Sequence, residues 1–141
     1  MADVNGADAG QAGGDLPPGW EQAVKVVVTQ EALGLAGASA KPVVTVMPGT
    51  GSVSVQVAGA TGRCDQQTVG WVRSSAVELE LLLQPSDMHP TAVGKCATAY
   101  DLKTTVPAPS GTLTLVVSLR SDAYAGEPSL TELARVSVSV P

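Results

Sequence analysis

The chain is 141 residues long, 44% hydrophobic and 15% charged, a size that suits one domain with a substantial core. Its net charge is −5, from 13 acids, 8 bases and a single histidine. No basic stripe is available to neutralise a phosphate backbone, so nucleic acid is not expected as a partner. No apolar run approaches the roughly 18 residues that a membrane span requires. The opening residues, MADVNGADAGQAGG, lack the charged and apolar regions of a secretory signal, so none is expected.

The core must be built from small side chains. Phe and Ile are absent and aromatic residues make up 3%, which leaves Val, Leu and Ala to fill the interior. Together with a single asparagine, Asn5, this usage points to a GC-rich coding source.

Residues 1–19 read as a flexible acidic arm. They carry Asp3, Asp8 and Asp15, no Lys or Arg, no periodicity, and end in Pro17-Pro18-Gly19. From Trp20 the apolar spacing is two, and residues 20–141 read as a single β-sandwich domain. Val24, Val26 and Val28 predict a first strand, and Gln30-Glu31-Ala32-Leu33 a helical turn stopped by Gly34. Val43 to Met47, the turn Pro48-Gly49-Thr50-Gly51, and Ser52 to Val57 predict a hairpin. In it Val53, Val55 and Val57 face the core and Ser54 and Gln56 face water. Further strands are expected around Trp71, over Val77 to Leu83, from Cys96 to Leu102, from Thr112 to Arg120, and around Val136, Val138 and Val140. The segment Gln84 to Gly94, with two prolines, reads as a loop. Roughly seven or eight strands with regular turn signals and almost no helix are the pattern of an all-β, two-sheet antiparallel sandwich. A β-barrel is the competing architecture.

Lys41-Pro42-Val43-Val44-Thr45-Val46, followed by Pro48-Gly49-Thr50-Gly51-Ser52-Val53-Ser54-Val55, resembles the first two strands of a fibronectin type III or related immunoglobulin-like domain. Ser121-Asp122-Ala123-Tyr124-Ala125-Gly126-Glu127-Pro128-Ser129 resembles the loop joining the last two strands of that family. The resemblance spans residues 41–141 and implies an immunoglobulin-like sandwich. Val57 or a neighbour stands where the family has a second-strand Trp. Cys64, Trp71 and Cys96 follow the antibody order of landmarks at shorter intervals. The fold is carried over without a function, because this architecture hosts many unrelated roles.

Cys64 and Cys96 are the only cysteines. A disulfide between them would close a loop of about 33 residues and contribute roughly 3–4 kcal/mol; two buried thiols acting as small hydrophobes are the alternative. His89, in Asp87-Met88-His89-Pro90, has no nucleophile elbow or ligand spacing to serve, so neither a catalytic triad nor a metal site is expected. Glu78 and Glu80 share a strand face roughly 7 Å apart, a spacing open to paired-carboxylate chemistry but more simply a solvated face that protects an edge. Tyr124 and Asp122, Met88 and His89, and Trp20 are the candidate partner contacts. No enzyme activity and no cofactor are expected. The expected role is a non-enzymatic interaction or structural module that recognises a protein or assembles with itself. The specific version preferred is a virion assembly protein, a capsid decoration or tail component of a phage with a GC-rich host. The alternative is a secreted or cell-surface domain that binds protein or carbohydrate.

Overall fold

The computed structural model describes residues 16–34, 41–64, 66–90, 96–124, 126 and 128–141. Among the described residues the alternating segments become nine strands: β1 (Val24–Val26), β2 (Val28–Ala32), β3 (Val43–Gly49), β4 (Ser52–Arg63), β5 (Thr68–Ser74), β6 (Glu78–Pro85), β7 (Ala97–Pro107), β8 (Gly111–Arg120) and β9 (Leu130–Val140). They form a five-stranded sheet in the order β1-β5-β6-β8-β9 and a four-stranded sheet in the order β2-β7-β4-β3. The molecule is thus an all-β, two-sheet sandwich. Among the described residues no helix is long and apolar enough to cross a membrane.

Neighbouring strands are antiparallel except β6 and β8, which run parallel from Glu78↔Thr114 to Leu83↔Leu119. The chain leaves β6, crosses to β7 in the opposite sheet and returns as β8 beside β6, so the two strands point the same way. Immunoglobulin domains are built from antiparallel sheets. The two stacked sheets are compatible with the expected immunoglobulin-like architecture, and the parallel pair departs from the wholly antiparallel sandwich expected from the sequence.

The first predicted strand is real but divided. Val26 pairs with Gly70 in the five-stranded sheet, and Val28 pairs with Thr104 in the four-stranded one. Val27, between them, is the switch. Its neighbours crowd Gly70, where a Cβ would lie 2.8 Å from Val26 Cγ2 and 3.0 Å from Val28 Cγ2. A glycine therefore lets the strand change sheets against β5. The helical turn expected over Gln30 to Leu33 does not form, since β2 continues to Ala32. Gln30 Nε2 donates to Gln66 O and Gln30 Oε1 accepts from Thr68 N–H, both at 2.9 Å. Ladder pairing with β7 and these long-range bonds outweigh the weak local helical preference.

The core lies between the sheets, where Val53, Val55 and Val57 of β4 and Leu102 and Val106 of β7 meet Leu79, Leu81 and Leu83 of β6 and Leu113, Leu115 and Val117 of β8. Each such side chain contributes about 1.5–3 kcal/mol on burial, so many modest terms replace the large aromatic ones this composition lacks. A bulge in β4 between Ala58 and Ala60, with Gly59 at φ +89°, keeps Ala60 on the buried side.

A second, smaller cluster sits on the outer face of the five-stranded sheet, where Leu16 and Trp20 pack over Leu82, with Ala23 and Trp71 alongside. Residues 1–15 of the expected arm lie outside the described residues. Leu16 to Gly19 are described, and Leu16 is buried.

Candidate functional site

Period-two alternation cannot tell which loops share an end of a sandwich. The fold brings most of the residues marked in the sequence to one such end. Cys64 follows the last residue of β4 and Cys96 precedes the first of β7, the strand paired with it. Arg63↔Ala97 is the last ladder pair, and Cys64 N–H donates to Cys96 O at 3.2 Å. The two cysteines are therefore opposite one another with Cα atoms 5.4 Å apart, and they form a disulfide. The alternative of two buried thiols is overturned: both residues are exposed at the strand ends.

Arg63, one residue before the bridge, organises its surroundings. Its Nε donates to Asp122 Oδ2 at 3.0 Å, in the loop between β8 and β9. Its guanidinium lies 5.5 Å from the centroid of the Tyr124 ring, a cation–π distance. Arg63 O accepts from the Tyr100 hydroxyl at 2.6 Å. Asp122 Oδ1 accepts from Tyr124 N–H at 3.1 Å, which fixes the loop that presents the tyrosine. Burial opposes ionisation of Asp122, but hydrogen bonds from Arg63 and from Tyr124 N–H, with the Arg63 charge, outweigh it and hold the carboxyl below its ordinary value. Tyr124 is 48% exposed.

The loop after β6 joins the same end. Met88 O accepts from Ala123 N–H at 2.8 Å, and the Met88 side chain is buried. His89 is exposed, its N–H donating to Asp87 Oδ1 at 3.0 Å. Of the candidate contacts, Tyr124 and His89 therefore face solvent, whereas Asp122 and Met88 hold the loops in place. Trp20 belongs to a different region. It is 7% exposed beneath Arg73, whose guanidinium sits 4.3 Å from the ring centroid.

Between the sheets, just inside this end, lies a cleft of about 310 Å³. Leu102, Leu119 and Tyr100 form its apolar wall; Gln84 and Arg120, joined by Arg120 Nη1 donating to Gln84 Oε1 at 3.0 Å, form its polar side. Its size is at the lower end for small-ligand sites. Sequence reading missed Arg63, Gln84 and Arg120. The available signal was polar residues closing strongly apolar strands: Gln84 ends Leu81-Leu82-Leu83, and Arg120 ends the β8 run.

Glu78 and Glu80 lie on the outer face of the five-stranded sheet, each engaged by an arginine. Arg73 binds Glu80 through two bonds, Nε to Oε2 at 2.8 Å and Nη2 to Oε1 at 3.0 Å. Arg135 reaches Glu78 at 3.3 Å and Glu132 at 2.8 Å. Both carboxylates are thus bound into a charged lattice over the sheet. Among the described residues no group of three or more His, Cys, Asp or Glu side chains has the arrangement of a metal site.

The fold and this end define the class: an all-β sandwich with a disulfide-closed loop end. No protein-family model, curated protein or solved structure matches the chain.

Proposed function

We propose that this chain is a non-enzymatic interaction module that docks a protein partner through the disulfide-closed end of its sandwich. The observation that carries this reading is the convergence there of three segments, the β4–β7 bridge, the loop after β6 and the β8–β9 loop, around Arg63. That arrangement presents the Tyr124 ring from a fixed backbone, so little loop entropy is lost on contact. An aromatic ring beside an arginine is also the side-chain pairing that interfaces favour.

The particular role put forward is assembly of a virion, as a capsid decoration or tail component of a phage with a GC-rich host, with an immunoglobulin-like or fibronectin type III-like sandwich as the docking unit. A disulfide suits an oxidising setting, which includes the surface of a virion. A second reading, a secreted or cell-surface domain binding protein or carbohydrate, draws on the 310 Å³ cleft. Its amides and hydroxyls match a small polar ligand.

A photo-crosslinking residue in place of Tyr124, in the full chain exposed to its native milieu, tests the proposal. Crosslinks to a protein from position 124, but not from Lys25 on the β1 edge, support it. Equal labelling from both positions, or labelling from Lys25 alone, overturns it. Saturation-transfer signals from free monosaccharides, lost in Gln84→Leu, would favour the second reading instead.

A further inference from the structure

Each sheet of an open sandwich ends in two edge strands, and an unprotected edge is a template for another strand. Among the described residues the two sheets have four edge strands, and three of them carry protection. β1 is three residues long and contains Lys25. β2 is five residues long and contains Glu31. β3 follows Lys41-Pro42 and contains Pro48. The fourth edge, β9, is eleven residues long with neither Lys nor Pro within it, Pro141 following its last residue. Its first part is guarded by the register shift opposite Val117 and Ser118 and by the charges of Glu132 and Arg135. Its last part, Val136-Ser137-Val138-Ser139-Val140, is uncharged and in regular register with Leu115 to Gly111.

We infer that this run of β9 pairs edge to edge with the same run of a second copy of the chain, in antiparallel sense. The argument for a second copy is self-complementarity. Antiparallel pairing about a two-fold axis at Val138 sets Val138 against Val138 of the second copy, Val136 against Val140 and Ser137 against Ser139. Every pair joins like with like and brings no charges of one sign together. Val faces then continue the inner row and Ser faces the outer row, so one register satisfies both sides of the sheet. The same pairing covers Val136, which is 38% exposed. It also closes a shallow groove of about 380 Å³ on the open side of the sandwich, lined by Val44, Val46, Pro48 and Val136 to Ser139. Five residue pairs make a small interface, so the association is concentration-dependent and weak compared with a standard protein–protein interface. It is independent of the loop end, and variants at Tyr124 or Arg63 leave it unchanged.

Light scattering of the full chain over a concentration series tests this, together with Val136→Lys, which places a charge inward on the edge. The expected result is a reversible dimer whose dissociation constant rises at least about tenfold in Val136→Lys. Register is read separately, from Ser137→Cys and Ser139→Cys chains mixed under mild oxidation. The mixture should give a crosslinked dimer, and either variant alone much less. A monomer at every concentration, a dimer unaffected by Val136→Lys, or a mixture that crosslinks no better than its components overturns the proposal. Should Val136→Lys fail to fold, the cysteine mixture decides.

Discussion

On the five-stranded sheet, Leu82 points outward and is fully buried beneath Leu16 and Trp20, while on the four-stranded sheet the outward Met47 is 68% exposed. The two outer faces are finished by different means. Over the five-stranded sheet, the segment from Leu16 to Ala23 lies on the strands. Arg73 clamps it by donating to Gly19 O at 2.8 Å and stacking on Trp20, while its other donors hold Glu80. The four-stranded sheet has no such cover among the described residues. Its outer face is an open groove of about 720 Å³ whose lining includes Val27, Met47, Ser54, Gln56, Lys103 and Pro107. That sheet is instead stapled at one end, where Cys64–Cys96 joins β4 to β7. One sheet gains stability by burying a second layer of apolar surface, the other by restricting its unfolded chain.

The largest effect tests the staple. Replacing both cysteines, Cys64→Ser with Cys96→Ser, should cost about 3–4 kcal/mol, from the closure entropy of the loop the bridge spans. Urea denaturation measures the loss, and hydrogen exchange should show the β4–β7 end opening before β6 and β8. Simultaneous opening of both sheets would mean the staple serves the whole sandwich.

The next contrast sets one face against the other. Trp20→Ala should destabilise the fold by about 3 kcal/mol, because a buried ring is removed from over Leu82. Met47→Ala, on the open face, should change stability by less than about 0.5 kcal/mol. Thermal unfolding of both variants checks this. Equal costs would remove the distinction between a covered and an uncovered face.

The smallest effect is electrostatic and belongs to the stapled end. The folded-state value of the Asp122 carboxyl is lowered from an ordinary 3.8. The stabilisation from its ionised form is therefore complete above the ordinary carboxylate range and is lost as pH falls through the lower folded value. With Arg63 partly solvated, the amount is on the order of 1 kcal/mol. Unfolding midpoints followed downward from pH 7 for the native chain and Asp122→Asn should draw together once pH falls below the ordinary carboxylate value. A difference that does not narrow at all as pH falls would assign Asp122 a packing role instead.

Legibility varied with the range of the interactions involved. Val53, Val55 and Val57 were readable as a buried row because alternation along one strand is written in neighbouring residues. The hairpin of β3 and β4 was readable for the same reason, its turn at Thr50 and Gly51 lying between two alternating runs. The helical turn over Gln30 to Leu33 was misread because those side chains tolerate a helix. The bonds from Gln30 to Gln66 and Thr68 that hold the strand come from residues 36 and 38 positions away. At the loop end, Tyr124 and Asp122 were picked out by their setting between strands. Arg63, which organises both, was missed because nothing near it in sequence says that its carboxylate partner is 59 residues on.

The sequence by itself determined that the chain is built of strands, where most of them lie, and which of their faces is apolar. Two-residue periodicity and β-branched content are local properties that survive in any arrangement of the strands. It also limited any intrachain disulfide to one pairing, since there are only two cysteines. The tertiary structure alone decided the switch at Val27 from one sheet to the other, the parallel pairing of β6 with β8, the packing of Trp20 over Leu82, and the gathering of Arg63, Asp122, Tyr124 and Met88 at the disulfide end. Each of these rests on which distant segments become neighbours. That choice is made by packing complementarity across the whole core, and it leaves no periodic trace in the residues that take part.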